Sequence, residues 1–173
     1  MLIAKASLLF VLSIACAAVR ASEDNRAIVG AWRYVSEVDT RPDGSPAPAS
    51  ALSPTQGLLI YTAEGFMAVV MMPEDRHWVT ESATLDQLRE TIANGNAYAG
   101  RYEVDSATHK ITHITSVSLE PQYEGIPLTR TYAIDGNTLK LSGTFPYRGE
   151  TVSFVISWAR IGGTESKPTV SSP

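Results

Sequence analysis

His113 and Arg130 are the residues of this chain best suited by type and spacing to chemistry. Each lies in a run that alternates along a strand-like period. His113 shares a face with Thr115, Val117 and Leu119, and Arg130 shares one with Leu128, Tyr132 and Ile134. If both runs are strands with these faces inward, an imidazole and a guanidinium enter an apolar interior. Such groups need partners there, because burying them unpaired is costly. A ligand carboxylate, enol or carbonyl would serve, with Arg130 as anion clamp and His113 as hydrogen-bond donor or proton shuttle. The alternative is internal satisfaction: a tyrosine hydroxyl on His113, and a backbone carbonyl or an acid such as Glu103 on Arg130. A register slip of one residue would put either side chain in solvent.

Tyr61, Tyr98, Tyr102 and Tyr132 also fall on strand-like runs and are candidate ligand-binding residues. Tyr98 and Tyr102 flank Gly100 on one face, which leaves room beside two rings. Their rings either fill the core or line a pocket with phenol hydroxyls. Other chemistry lacks a motif. His77, His109 and His113 have no metal-ligand spacing, and His77 and His109 lie near turns. A glycine-rich phosphate loop and a Gly-x-Ser-x-Gly elbow are both missing from the sequence. No metal or cofactor is predicted.

The elements that must position these residues are mostly strands. Runs of β-type residues cover 31–38, 57–62, 66–72, 98–104, 110–119, 127–134, 138–144 and 151–161, separated by turn signals. Gly65 sits where the 63–65 turn needs positive φ, Asp135-Gly136 is a two-residue hairpin signal, and 146–149 reads as a turn. Thr84 to Asn94 is the one helical stretch. Thr84 and Gln87 fit a capping box, and Leu85, Leu88 and Ile92 form one apolar stripe suited to a lid or plug on the sheet. The fold class predicted is all-β: an eight-stranded antiparallel up-and-down barrel with one short helix. Eight strands can be filled by side chains or can hold one small ligand.

The pieces Gly30-x-Trp32, Gly57-x-Leu-Ile-Tyr61, Gly65-Phe-Met67, Ala97-Tyr98-x-Gly100-x-Tyr102, His113 with Ser118-Leu119-x-Pro121, Gly125, Arg130-x-Tyr132 and Trp158-x-Arg160 resemble, in order and spacing, the lipocalin-like domain proteins of bacteria and fungi. The resemblance spans about residues 28–161 and implies a calycin-type barrel. It implies little about activity, since one fold hosts many functions. By the same resemblance Trp32 and Arg160 look like a structural latch, a guanidinium over an indole face. The charged Asp75-Arg76-His77-Trp78 segment departs from the family pattern, which leads one to expect a proline-rich loop there.

With 173 residues, 44% hydrophobic and 18% charged, the chain fits one globular domain. Residues 1–21 read as a signal peptide. Lys5 precedes an apolar stretch from Ala6 to Val19, and small residues permit cleavage after Ala17 or Ala21. Removing the leader takes Cys16, the sole cysteine, together with Lys5 and Arg20. Twelve basic residues then face 18 acidic ones, and the net charge moves from −4 to −6. Neither a nucleic acid nor an anionic membrane finds a basic patch, and disulfides are excluded after cleavage. The domain is expected at 27–161, followed by a disordered tail at 162–173. The expected protein is exported, a monomer or weak homodimer, and binds a small hydrophobic or amphipathic molecule. Its rivals are a cofactor-free isomerase or cyclase acting on a polyketide- or terpenoid-like metabolite through His113 and Arg130, and a packed interaction module.

Overall fold

The computed structural model describes residues 26–47, 56–74, 76, 82–87, 89 and 95–162. Its strands are β1 (Gly30–Thr40), β2 (Gln56–Tyr61), β3 (Phe66–Met72), β4 (Asn96–Asp105), β5 (Lys110–Ser118), β6 (Pro127–Asp135), β7 (Thr138–Tyr147) and β8 (Glu150–Arg160). Each pairs antiparallel with the next, and β8 returns to β1, so the sheet closes into an up-and-down barrel. The sequence-based fold class is therefore the observed one.

Closure begins where Trp32 pairs with Arg160. The Arg160 guanidinium carbon lies 4.0 Å from the centroid of the Trp32 ring. Its two terminal nitrogens donate to the carbonyls of Val29 and Ala27. Trp32 Nε1 donates to the Ile28 carbonyl at 2.9 Å, which ties the 26–29 segment across this end. Gly30 makes the approach possible. It has φ +141°, and a Cβ there would meet Arg160 Nη1 at 2.7 Å. Above this floor the interior is filled by Trp158, Leu139, Ile111, Leu59 and Met67.

Two bulges alter which residues face inward. In β1 the register with β8 shifts between Tyr34 and Ser36. In β4–β5 it shifts between Ala99, opposite Val117, and Gly100, opposite Thr115. The second bulge corrects the face read for His113. Thr115 stays inside with it, while Val117 and Leu119 are exposed on the other side of the shift.

Other turns follow their chemistry. Gly65 has φ +85° and Gly136 +55°. β7 runs past the expected 144 boundary, and the turn is Arg148-Gly149, both with positive φ. Pro146 is tolerated inside β7. It pairs with Thr151 beside the turn-closing pair Tyr147–Glu150, at the alternate position that exchanges no ladder hydrogen bond. The capping box forms: Thr84 N donates to Gln87 Oε1 at 2.9 Å and Gln87 N to Thr84 Oγ1 at 3.3 Å. The helix is seen at 85–87 and 89, and Leu85 is 62% exposed, so this member of the stripe is not packed on the sheet. Leu88, Ile92, the stretch at 1–21 expected to be a leader and the tail beyond Gly162 lie outside the described residues, as does His77.

Candidate functional site

β5 carries His113 into the barrel, where it is 1% exposed. Both ring nitrogens are engaged. Nε2 is 2.6 Å from the Tyr61 hydroxyl, and Nδ1 is 3.0 Å from the Tyr98 hydroxyl. β2, β5 and β4 thus each contribute one member of a Tyr–His–Tyr chain. A neutral imidazole satisfies it fully, donating through one nitrogen and accepting through the other. Burial, helped by the charge of Arg130, holds the imidazole pKa well below its ordinary value. The depressed pKa favours the neutral imidazole, and phenols already occupy both of its nitrogens. Burial also pushes the Tyr61 phenol well above its usual pKa and raises that of Tyr98, with Arg130 partly opposing both.

Arg130 reaches the same interior from β6, opposite Ile111 of β5. Nη1 donates to the Leu128 carbonyl at 3.1 Å. The guanidinium carbon lies 5.9 Å from the ring centroids of both Tyr98 and Phe154, at the outer limit of a cation–π contact. Glu103 is on the exposed outer face of β4 and is not its partner. Among the described residues no carboxylate forms an ion pair with Arg130.

The remaining tyrosines divide. Tyr102 stacks edge-on against Tyr61 at 4.8 Å, and its hydroxyl donates to the Thr62 carbonyl. Tyr132 is 4% exposed and does not join the His113 group; its ring packs at 5.7 Å against His109, which is exposed. Trp32 and Arg160 form the floor described above. Among the described residues no three His, Cys, Asp or Glu side chains are grouped to hold a metal.

A model of the lipocalin-like domain matches residues 29–161, nearly the whole barrel. The chain belongs to the lipocalin-like domain family. A search of curated proteins finds no match. In this lipocalin-like barrel the interior is polar on two sides. One is the His113–Arg130 wall. Period-two reading of the sequence misses the other, which is made by Glu37 and Asp39.

The β1 bulge produces that second wall. Trp32 and Tyr34 face inward before it. After it Glu37 stands opposite Ile156, and Asp39 opposite Phe154. Ile156 and Phe154 are buried core residues, and residues directly opposite share a face, so both carboxylates point inside. Ser36 and Val38, which period two would bury, are exposed. The one hint in the sequence is the apolar spacing 32, 34, 35, 38, which abandons period two at Val35. Burial, reinforced by Asp39, raises Glu37 to about 7, and burial raises Asp39 as well. Burial and both carboxylates push Tyr34 up to about 12.

A raised carboxyl favours the protonated fold, so stability is full at acid pH and is lost as pH rises through the folded value. Glu37→Gln should therefore stabilise the protein by about 1–2 kcal/mol at pH 8, a figure discounted because water reaches part of the side chain. The gain should grow between the ordinary carboxyl value of 4.5 and about 7, and vanish below that window. Urea midpoints of the two proteins at pH 4.5 and pH 8 check it.

Proposed function

We propose that the barrel binds a small hydrophobic or amphipathic molecule and holds a carboxylate, enolate or carbonyl of that ligand on Arg130. One observation carries this reading: the Arg130 guanidinium is half-buried beside Tyr98 and Phe154, with the Leu128 carbonyl and the Tyr98 hydroxyl as neutral hydrogen-bond acceptors and no paired carboxylate among the described residues. An unpaired interior cation is costly, and an anionic ligand offsets that cost. Phe154, Phe145 and Tyr98 supply apolar surface around it.

Binding fits the geometry better than turnover by His113. An isomerase or cyclase working through this histidine needs it to exchange protons near neutrality, and both its nitrogens are held by phenols in a site that opposes charging.

The probe that tests the reading is 11-(dansylamino)undecanoate, compared with its methyl ester by fluorescence. The acid should bind more tightly than the ester. Arg130→Met should weaken the acid by about 10- to 100-fold, which corresponds to about 1.5–3 kcal/mol for a charge-assisted bond. Equal binding of acid and ester, or an Arg130→Met variant that binds the acid unchanged, would overturn it. The reading also makes the protein an exported one, carried by the leader at 1–21. Secreted or periplasmic material should begin at Ala18 or Ser22, and intact Met1 on soluble cytoplasmic protein would contradict export.

A further inference from the structure

We propose that Glu37 and Asp39 form a second subsite in the barrel, one that takes the protonated amine of an amphipathic ligand. The inference rests on the ligand-binding reading above but uses a different wall and the opposite charge.

Three observations carry it. The first is the register: the bulge after Tyr34 turns two carboxylates inward on β1, side by side on one face. The second is their lack of partners. Asp39 Oδ1 is buried without a hydrogen bond. So is Nε1 of Trp158, a side chain 1% exposed that packs at 5.8 Å, edge-on, against Tyr34. Asp39 Oδ1 is an acceptor that an ammonium would satisfy; Trp158 Nε1, a donor, is a second polar atom left unmatched on the neighbouring strand, and an ammonium would not complete it. The third is access. β1 pairs with β2 only over Gly30–Arg33, then stays with β8 as far as Thr40. On the outer face of the sheet, at the seam where β1 leaves β2, lies a groove of about 610 Å³ bordered by the exposed Val35, Leu58 and Val70 and reaching inward to Tyr34. An apolar chain can lie along it with its head passing Tyr34, which both carboxylates influence, at the open seam.

The charges around the pair favour a cation. Tyr34 faces it from β1, and β8 presents the apolar Ile156 and Phe154. Arg130 of β6 lies over Phe154 without pairing with either acid. Arg41 is held by Glu150. Arg33, Glu74 and Arg76 also border the groove. Burial disfavours ionisation of both carboxyls, and an ammonium beside them would reverse that by supplying the missing positive charge. Phe154 then separates an acidic pole from the basic pole at Arg130.

The probes are dansylcadaverine, which carries a primary ammonium, and its N-acetyl derivative, which is neutral. They are titrated into the full-length protein at 150 mM salt, roughly a Debye length of 8 Å, so that distant surface charge is screened. At pH 8 the ammonium probe should bind at least about tenfold more tightly than the acetylated one, and at pH 5.5 the preference should fall below about threefold as the carboxyls take up protons. The Glu37→Gln/Asp39→Asn double variant should bind both probes equally, at the wild-type affinity for the acetylated probe. Circular dichroism confirms that the double variant is folded. Equal binding of the two probes to the wild-type protein overturns the subsite alone. A preference that survives in the double variant also overturns it, as general attraction to an acidic protein. If neither dansylcadaverine probe binds but the undecanoate does, the subsite fails and the Arg130 reading stands; if none of the three binds, both fail.

Discussion

Gly100→Ala should cost about 3–5 kcal/mol, several times the effect of an ordinary glycine-to-alanine change. Gly100 lies at the bulge where β4 crosses β5 most closely. A Cβ built there overlaps the carbonyl oxygen of Ile114 and comes within 2.9 Å of Ser116 N and 3.0 Å of the Ile114 carbonyl carbon. All three are backbone atoms of the neighbouring strand, so no side-chain rotation relieves the clash. The two strands must separate, and with them the bulge that keeps Thr115 and His113 inside while Val117 is out. The loss should appear as a large drop in urea midpoint, or as failure to accumulate folded protein. Gly125→Ala is the control. Gly125 has φ +75° and nothing within 4 Å of its Cβ position, so only the local backbone cost of about 1–2 kcal/mol applies. A Gly100→Ala protein as stable as Gly125→Ala would refute the argument.

The second large effect is expected at His113. His113→Ala removes a side chain that is 1% exposed and leaves the Tyr61 and Tyr98 hydroxyls facing each other across a void. The cavity and the two orphaned phenols together should cost about 3–5 kcal/mol. In a domain of this size that lowers the melting temperature by roughly 10 °C. His113→Ala in a Tyr61→Phe, Tyr98→Phe background should cost markedly less than in the wild type, because no orphaned hydroxyl remains; equal costs would show that the hydrogen bonds contribute nothing. By NMR the imidazole should titrate well below the ordinary histidine value. Its folded pKa is depressed, so the unfolded chain takes up the proton first, and this residue's contribution to stability is lost as pH falls below about 6.5. Glu37 acts in the opposite sense over part of the same range, so the two are separated only by comparing variants at each pH.

These two predictions depend on features of different legibility. Strand count, the short turns and the closing pair Trp32–Arg160 are local: alternation, glycine and proline placement, and aromatic ends are carried by neighbouring residues. The capping box at Thr84 is local too. The inward placement of His113 and Arg130 follows from strand period within each run, and its chemical reading required only that the runs be strands.

The amino-acid sequence by itself determined an eight-stranded barrel closed end to end, with an imidazole, a guanidinium and several phenols carried toward its interior. Tertiary structure decided what those groups do to one another. Tyr61 is 52 residues from His113 along the chain, and only barrel closure brings its hydroxyl to Nε2. The same holds for the acids. Period two places Glu37 and Asp39 in solvent, and a single extra residue at the β1 bulge reverses them. A bulge is settled by pairing with a partner strand, here β8, more than a hundred residues away along the chain; it leaves no firm trace in the strand that carries it.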